Sequence, residues 1–196
     1  MLLVPYREAM SQIQEADVLL FRGEGLVSWL IKRYGSGVHS HAAMAHWDDD
    51  DLQCVEFREF KGGRAVSMKS QVETHPDNID VFRAANYLEF ENVGHRLTKD
   101  VANEITDVMG GITGLPYGWA NFWKLGKHYL PFCRLAEQNM KDNDPTNVFV
   151  CSTAVAYAYR QAYIDPVPYL ADSAVTPADL ARSCLFKYKF TIKKDW

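Results

Sequence analysis

The sequence has no long apolar segment. Its long uncharged runs, such as residues 145–159, are shorter and more polar than the roughly 18 consecutive apolar residues that a transmembrane helix needs. The first ten residues, MLLVPYREAM, contain a proline, an arginine and a glutamate before any apolar core develops, so they do not read as a signal peptide. We therefore expect a cytoplasmic protein with no transmembrane segment.

An excess of positive charge is also missing. The formal net charge is −4, and the lysines and arginines are scattered along the chain. Proteins that bind nucleic acid usually carry a basic patch or stripe, so nucleic acid is not an expected partner. The chain has 196 residues, 47% of them hydrophobic, and shows no repeat, linker or low-complexity segment. It is expected to form a single domain over residues 1–196, in an oligomeric state that the sequence leaves open.

Paired cysteines are the third absence. The four cysteines are Cys54, Cys133, Cys151 and Cys184. They lie far apart with no C-x-x-C motif, which favours reduced thiols over a disulfide framework or a zinc knuckle. The aspartates at 48–51 lack the spacing of a calcium loop, and no H-E-x-x-H motif is present. No metal or other cofactor is predicted, although a metal site built from His39, His41 and nearby aspartates stays open as an alternative.

The sequence does contain a group of β-type segments early in the chain, followed by mostly helical ones. Strands are predicted at 16–21, at 40–47 and 52–60 as a hairpin, in GGRAVSM and IDVFRA, and at 186–192, where Phe186, Tyr188, Phe190 and Ile192 alternate with polar residues. Helices are predicted at 25–35, 95–109, 149–163 and from Pro177, with Thr176 as N-cap. This order predicts an α+β fold in which an antiparallel sheet packs against helices.

Cys151 differs from the other cysteines in its position. The turn-prone and extended stretch DNDPTNVFV precedes it, and the helical stretch STAVAYAYRQAY follows it. Free N–H groups and the helix dipole favour an anion at a helix N-terminus, so a thiol there ionises more readily. The same N–H groups can hold an oxyanion. Cys151 is therefore a candidate nucleophile, while burial as a small hydrophobe is the alternative for any one cysteine.

A nucleophilic thiol needs a base, and the base needs an orienting partner. If segments 41–47 and 51–57 pair around a loop at 47–50, His41 lies directly opposite Glu56 on one side of the sheet. Together with Cys151, this pair would form a Cys–His–Glu arrangement. His39 is expected in the preceding loop, exposed, and His46 is expected to face solvent or a carboxylate. His75, His95 and His128 are expected to be surface residues or hydrogen-bonded core residues.

The aromatic stretch GLPYGWANFW lies between the base and the nucleophile in chain order. Its Tyr117 and Trp119 are candidate substrate-binding residues, with Phe122 and Trp123 beside them, for an acyl-binding groove. Ordinary core packing is the alternative for these aromatics. Ser152, in the first turn after Cys151, adds no bulk that would block an approaching substrate and is the third candidate.

Several quoted stretches, taken in order, resemble the YiiX/YaeF-like group of proteins. They are EADVLLFRGEGLVSWLIKRYGSGVHSHAAMA, CVEF, FVCSTAVAYAYR and VTPADLARS. The group consists of circularly permuted, papain-like members of the NlpC-type cell-wall peptidase superfamily, related more distantly to lecithin:retinol acyltransferase. The resemblance implies a permuted papain-like fold with Cys151 as nucleophile, His41 as base and Glu56 as orienting residue. His41 is preferred to His39 because Ser40 directly precedes it, as in the family motif.

Together these features predict a cysteine hydrolase of the peptidase or amidase type, which cleaves an amide bond through an acyl-enzyme. The expected substrate is a peptide or a lipid-like amide. Acyl transfer, or hydrolysis of an ester or thioester, uses the same dyad and remains an alternative. A catalytically silent module that binds lipid or peptide is the alternative from another functional class.

Overall fold

Seven strands form one sheet in the computed structural model, which describes residues 1–24, 26–85, 97–118, 149–168 and 170–196. The strands are β1 (Leu3–Pro5), β2 (Val18–Phe21), β3 (His41–Asp48), β4 (Asp51–Arg58), β5 (Gly62–Ser67), β6 (Ile79–Ala84) and β7 (Phe186–Lys193). Their order across the sheet is β1-β7-β6-β2-β3-β4-β5. All neighbours are antiparallel except β1 and β7, which are parallel. The predicted α+β class and the mostly antiparallel sheet are confirmed.

Helices cover both faces of the sheet. They are α1 (Tyr6–Met10), α2 (Leu26–Gly35), α3 (Met68–Thr74), α4 (Lys99–Gly111), α5 (Cys151–Gln161) and α6 (Pro177–Arg182). Side chains of α4 and α5 share one apolar core with alternate residues of β2, β3 and β4. Side chains of α1 and α3 share a second core with the intervening residues of the same strands. In the residues described, no helix is both long and apolar enough to cross a bilayer.

The predicted elements are found with shifts of a few residues at their ends. Thr176 caps α6 as predicted, because its hydroxyl accepts a bond from the Asp179 N–H at 3.1 Å and Pro177 is the first helical residue. Three short elements, β1, α1 and α3, were not predicted. They span three, five and seven residues, too few for a hydrophobic period to show in the sequence.

Strand β7 departs from its predicted simple alternation. The pairing with β6 shifts between Val81 and Phe82, so that Val81 opposes Phe190 and Phe82 opposes Tyr188. Lys189 is therefore the extra residue of a β-bulge, and a bulge changes which face the following side chains occupy. Phe186 packs in the core under α4 and α5, whereas Phe190 and Ile192 pack in the core under α1 and α3. Tyr188 is 40% exposed.

The β3–β4 hairpin positions the candidate site, and its register differs from the predicted one. Asp48 pairs with Asp51 around a two-residue turn, rather than the four-residue loop expected at 47–50. Asp49 has a φ of 51°, a left-handed conformation that aspartate tolerates in tight hairpin turns. As a result Ala43, and not His41, lies directly opposite Glu56. His41 is displaced by two residues along its strand, which keeps its side chain on the same face as Glu56.

Candidate active site

His41 and Glu56 are in direct contact across the hairpin despite the register difference. His41 Nε2 lies 2.6 Å from Glu56 Oε2, a short bond between ring nitrogen and carboxylate oxygen. A diagonal pair of side chains two residues out of register is within reach when both are long. Because Nε2 is bound to the carboxylate, Nδ1 is the ring nitrogen left for another partner.

That other partner is Cys151, the first residue of α5. Its side chain is close enough to the His41 ring to raise the pKa of His41 through hydrogen bonding and charge. Helix α5 packs on the opposite face of the sheet from α3, but His41 is the first residue of β3 and Cys151 the first of its helix. The thiol and the imidazole therefore meet at the end of the sheet where β3 begins. The prediction that Cys151 begins a helix is confirmed.

The partners of His41 change its protonation. Burial by itself lowers the pKa of His41, but hydrogen bonding and attraction to a negative Cys151, and then to Glu56, outweigh that effect and raise the pKa from 6.5 to about 10. The imidazole is consequently positively charged at neutral pH. A charged imidazole beside a cysteine sulfur is found in enzymes whose cysteine is the nucleophile.

Glu56 is completely buried and lies among cations. Arg64, opposite Glu56 on β5, binds Oε1 through Nε at 2.9 Å and through a second, shorter contact from Nη2. Arg58 approaches Oε2 more distantly, with Nη1 at 3.6 Å. Burial would raise the pKa of Glu56, but His41, then Arg64 and Arg58, lower it from 4.5 to about 2. The carboxylate is therefore ionised at neutral pH and does not take a proton from His41 there.

Of the three predicted substrate-binding residues, Tyr117 and Ser152 lie within the described part of the chain. Tyr117 is buried beside the site: burial raises its pKa, and negative charge on Cys151 and Glu59 raises it further. The hydroxyl of Ser152 donates to the Val175 carbonyl oxygen at 2.7 Å, so it ties α5 to the segment before α6. Trp119 lies outside the described residues, as do Phe122 and Trp123.

His39 differs from its prediction. It does precede β3 in a loop, but it is 6% exposed and its Nε2 lies 2.8 Å from Asp80 Oδ2. Thr191 donates to the other oxygen of Asp80 at 2.5 Å. The expected exposure of His39 is wrong because this buried carboxylate, brought from β6, offers it a partner. His46 does face a carboxylate, with Nδ1 at 2.6 Å from Glu15 Oε1.

The sequence analysis did not identify the two arginines that lie against Glu56, Arg64 and Arg58, or His75, which contacts Arg58. Arg58 Nη2 donates to His75 Nε2 at 3.2 Å. Arg58 has the same strand parity as Glu56, so a hairpin pattern is sufficient to find it. Identifying Arg64 requires knowing that β5 pairs with β4, and identifying His75 requires knowing how α3 packs. Neither can be predicted from the local sequence.

No protein-family model matches the sequence, and a search of curated proteins finds no match. Five chains of solved structures do match. One is YiiX of Escherichia coli O157:H7, described as a metalloprotein, with a TM-score of 0.60, 13% sequence identity, and coverage of 94% of this chain and 99% of that chain. The chain has a YiiX-like fold. At this identity the likeness concerns the fold alone.

The sequence left a metal site around His39 and His41 open as an alternative. Among the described residues no group of three or more His, Cys, Asp and Glu side chains is placed to hold a metal ion. His39 and His41 each bind a different carboxylate, Asp80 and Glu56. The alternative site built from His39, His41 and nearby aspartates is therefore not formed among the residues described.

Proposed function

We propose that this protein is a cysteine hydrolase of the peptidase or amidase type, with Cys151 as nucleophile, His41 as acid and base, and Glu56 as the residue that orients His41. One observation carries the proposal: the His41 ring binds the buried carboxylate of Glu56 and interacts with the Cys151 side chain, and these three residues come from three separate segments. A thiol, a base in contact with it and a group that orients the base are what nucleophilic catalysis requires.

The reaction follows from these positions. The Cys151 thiolate adds to the carbonyl carbon of the amide, and the first backbone N–H groups of α5 hold the resulting oxyanion. The C–N bond then breaks while the His41 imidazolium gives its proton to the departing amine, leaving a thioester. Neutral His41 next removes a proton from water, the hydroxide adds to the thioester, and the C–S bond breaks to restore the thiolate and the imidazolium.

Glu56 acts through His41 and not on the substrate. With its pKa held at about 2, it stays a carboxylate throughout the cycle and stabilises each imidazolium form. Arg64 and Arg58 neutralise this buried charge when His41 is neutral. We further propose that Tyr117 lines the substrate groove beside Cys151, and that the substrate is a peptide or a lipid-like amide.

The fold is part of the same proposal. In papain-like enzymes the cysteine lies near the N-terminus and the histidine follows it, whereas here His41 and Glu56 precede Cys151. We propose that the YiiX-like fold of this chain is a circularly permuted papain-like fold. Acyl transfer or thioester hydrolysis with the same dyad remains the second candidate, because the geometry of Cys151 and His41 serves any activated acyl group.

Iodoacetamide labelling at a series of pH values tests the nucleophile. The thiolate reacts, and the charged His41 stabilises it, so we expect Cys151 to label at pH 6 at least about 10-fold faster than Cys184, which is exposed. His41→Ala should remove this advantage. Cys184 serves as the reference in every sample, and mass spectrometry assigns each label. Equal rates for the two thiols in the wild-type protein would contradict the proposal.

A panel of amide, ester and thioester substrates tests the chemistry. The wild-type protein should give a burst of product equal to the enzyme concentration, with the acyl group recovered on Cys151 by mass spectrometry. Cys151→Ala should give none, while Cys184→Ala should behave as the wild type does. The acyl class that gives the burst separates an amidase from a thioesterase, and the absence of acylation with every class would favour the silent module.

A further inference from the structure

His75 has no role in the proposed mechanism. It contacts Arg58, which in turn lies near Glu56 of the candidate triad. It follows the last residue of α3, and its backbone N–H donates to the Gln71 carbonyl oxygen at 2.8 Å. Its ring makes an edge contact with Phe21, at 5.3 Å between centroids, and Phe21 makes a similar contact with His41 at 5.2 Å. The phenyl ring thus separates two imidazoles on one face of the sheet.

The partners of His75 fix its protonation state. Its Nδ1 lies 3.3 Å from the Gln71 carbonyl oxygen, which can only accept a proton. Its Nε2 lies 3.2 Å from Arg58 Nη2, which can only donate one. The two contacts are compatible only with a neutral ring protonated on Nδ1. A proton added to Nε2 would place two donors face to face and break the contact with Arg58.

Arg58 connects His75 to the triad through Glu56 Oε2. His41 Nε2 binds this oxygen at 2.6 Å, while Arg58 Nη1 lies 3.6 Å from it, beyond hydrogen-bond distance. The guanidinium is therefore shared between an imidazole acceptor and a carboxylate. If the contact with His75 is lost, the attraction of the carboxylate draws Arg58 toward Oε2, where it competes with His41.

We propose that neutral His75 is a positioning residue that holds Arg58 back from Oε2 of Glu56 and so leaves that oxygen to His41. The inference rests on the proposed function, since it concerns the reactivity of Cys151. Acidification releases Arg58, because a protonated His75 can no longer accept its bond. The site is then weakened in acid by a group that never touches the substrate.

The charges around His75 agree with this. Burial lowers the pKa of His75 from its ordinary 6.5, the Arg58 charge lowers it further, and the Gln71 carbonyl oxygen raises it. Charged His41 disfavours a proton on His75, and Glu56 favours one. The net shift is downward, so His75 is neutral at pH 7 and gains its proton only below its ordinary pKa of 6.5.

Four variants test the proposal through the iodoacetamide labelling rate of Cys151, with Cys184 as internal reference. His75→Gln keeps an acceptor near the position of Nε2 but cannot titrate. His75→Leu removes the acceptor. Arg58→Met removes the competitor, and the double variant removes both. Near-ultraviolet circular dichroism of each protein reports whether the core is intact.

We expect His75→Leu to slow Cys151 labelling at pH 7.5 by roughly 2- to 10-fold, the range that one hydrogen bond supports. In the Arg58→Met background the same exchange should change the rate less than about 2-fold. The rate of His75→Gln relative to wild type should rise by roughly 2- to 10-fold as the pH falls from 7.5 to 5.

The outcomes separate this inference from the proposed function. Wild-type Cys151 that labels no faster than Cys184 overturns both. Suppose that Cys151 labels fast and that this depends on His41, but that His75→Leu lowers the labelling rate equally with and without Arg58. That result overturns the inference alone. A ratio between His75→Gln and wild type that stays constant from pH 7.5 to pH 5 also overturns it, since a merely structural role would not depend on the titration of residue 75.

Discussion

Glu56 illustrates at the scale of one residue why a buried charge can be essential without adding net stability. A carboxylate that leaves water loses several kcal/mol of hydration, and this loss is recovered only if cations and hydrogen bonds surround it. His41, Arg64 and Arg58 provide them here. Removing the carboxylate would leave these partly buried cations beside one another without a counter-charge, which is more costly than losing the pair as a whole.

Replacing Glu56 by Gln should therefore destabilise the protein by about 3 to 5 kcal/mol at pH 7, the cost of breaking a buried pair. The matched control is Glu15→Gln, which alters a Glu–His contact of the same 2.6 Å length whose histidine is 33% exposed. That change should cost less than about 1 kcal/mol. Urea unfolding of both variants beside the wild type measures the difference, and equal losses would contradict it.

The same carboxylate predicts a pH dependence of stability. Its pKa is about 2 in the folded protein, below the ordinary 4.5 that it regains on unfolding. The unfolded chain then binds more protons between these values, so this contribution to stability is complete above pH 4.5 and is lost as the pH falls toward 2. In Glu56→Gln the acid loss should be shallower between pH 5 and pH 3. Urea midpoints at three pH values give the slope, and identical slopes in both proteins would oppose the assignment.

At the scale of elements, short polar links hold the helices that frame the site. Thr176 and Asp179 form a reciprocal cap at the start of α6, with Asp179 Oδ2 accepting from the Thr176 N–H at 3.1 Å. Arg182, at the end of α6, donates to the carbonyl oxygens of Gly35 and Ser36 at 3.0 Å. The capped helix thereby holds the end of α2, which leads into the loop before His41.

Thr176→Ala should lower the free energy of unfolding by about 1 to 2 kcal/mol, because the buried cap loses its acceptor for the Asp179 N–H. Thr176→Ser keeps the oxygen and is the matched control, with an expected loss below about 0.5 kcal/mol. Urea midpoints compare the two variants. If serine were as damaging as alanine, the lost methyl group and not the cap would explain the effect.

At the scale of the molecule, the site depends on contacts between distant parts of the chain. Cys151 lies more than a hundred residues after His41, and the chain ends meet where β1 pairs with β7 through Leu3 and Thr191. Such non-local contacts form cooperatively, since no segment can complete the sheet or the site alone. Selective reactivity of Cys151 should therefore exist only in the folded protein.

Urea titration with brief iodoacetamide pulses tests this cooperativity. Cys54, buried in the middle of β4, should become reactive over the same urea range in which Cys151 loses its advantage over Cys184. Mass spectrometry follows the three thiols in one sample. If Cys151 loses its selectivity at a clearly lower urea concentration than the one at which Cys54 becomes reactive, the site opens before the sheet unfolds.

The sequence by itself determined the local parts of this protein. Hydrophobic periodicity located the strands around Leu19 and Val55, turn and cap residues located the start of α6, and the extended-to-helical change placed Cys151 at the start of a helix. The contact of His41 with Glu56 also followed from the hairpin, although the register was wrong. A register error of two residues leaves a side chain on the same face of the sheet, so the predicted contact between His41 and Glu56 was still correct.

Only the tertiary structure decided which distant groups meet. The burial of His39 against Asp80 and the contact between His75 and Arg58 each join elements that are not neighbours in the chain, and Arg64 reaches Glu56 only through the pairing of β5 with β4. The bulge at Lys189, which moves Phe190 to the other core, is likewise set by pairing with β6. Local sequence records the preferences of a segment, but the free energy of a buried charge or a shared core depends on the neighbours that folding brings together.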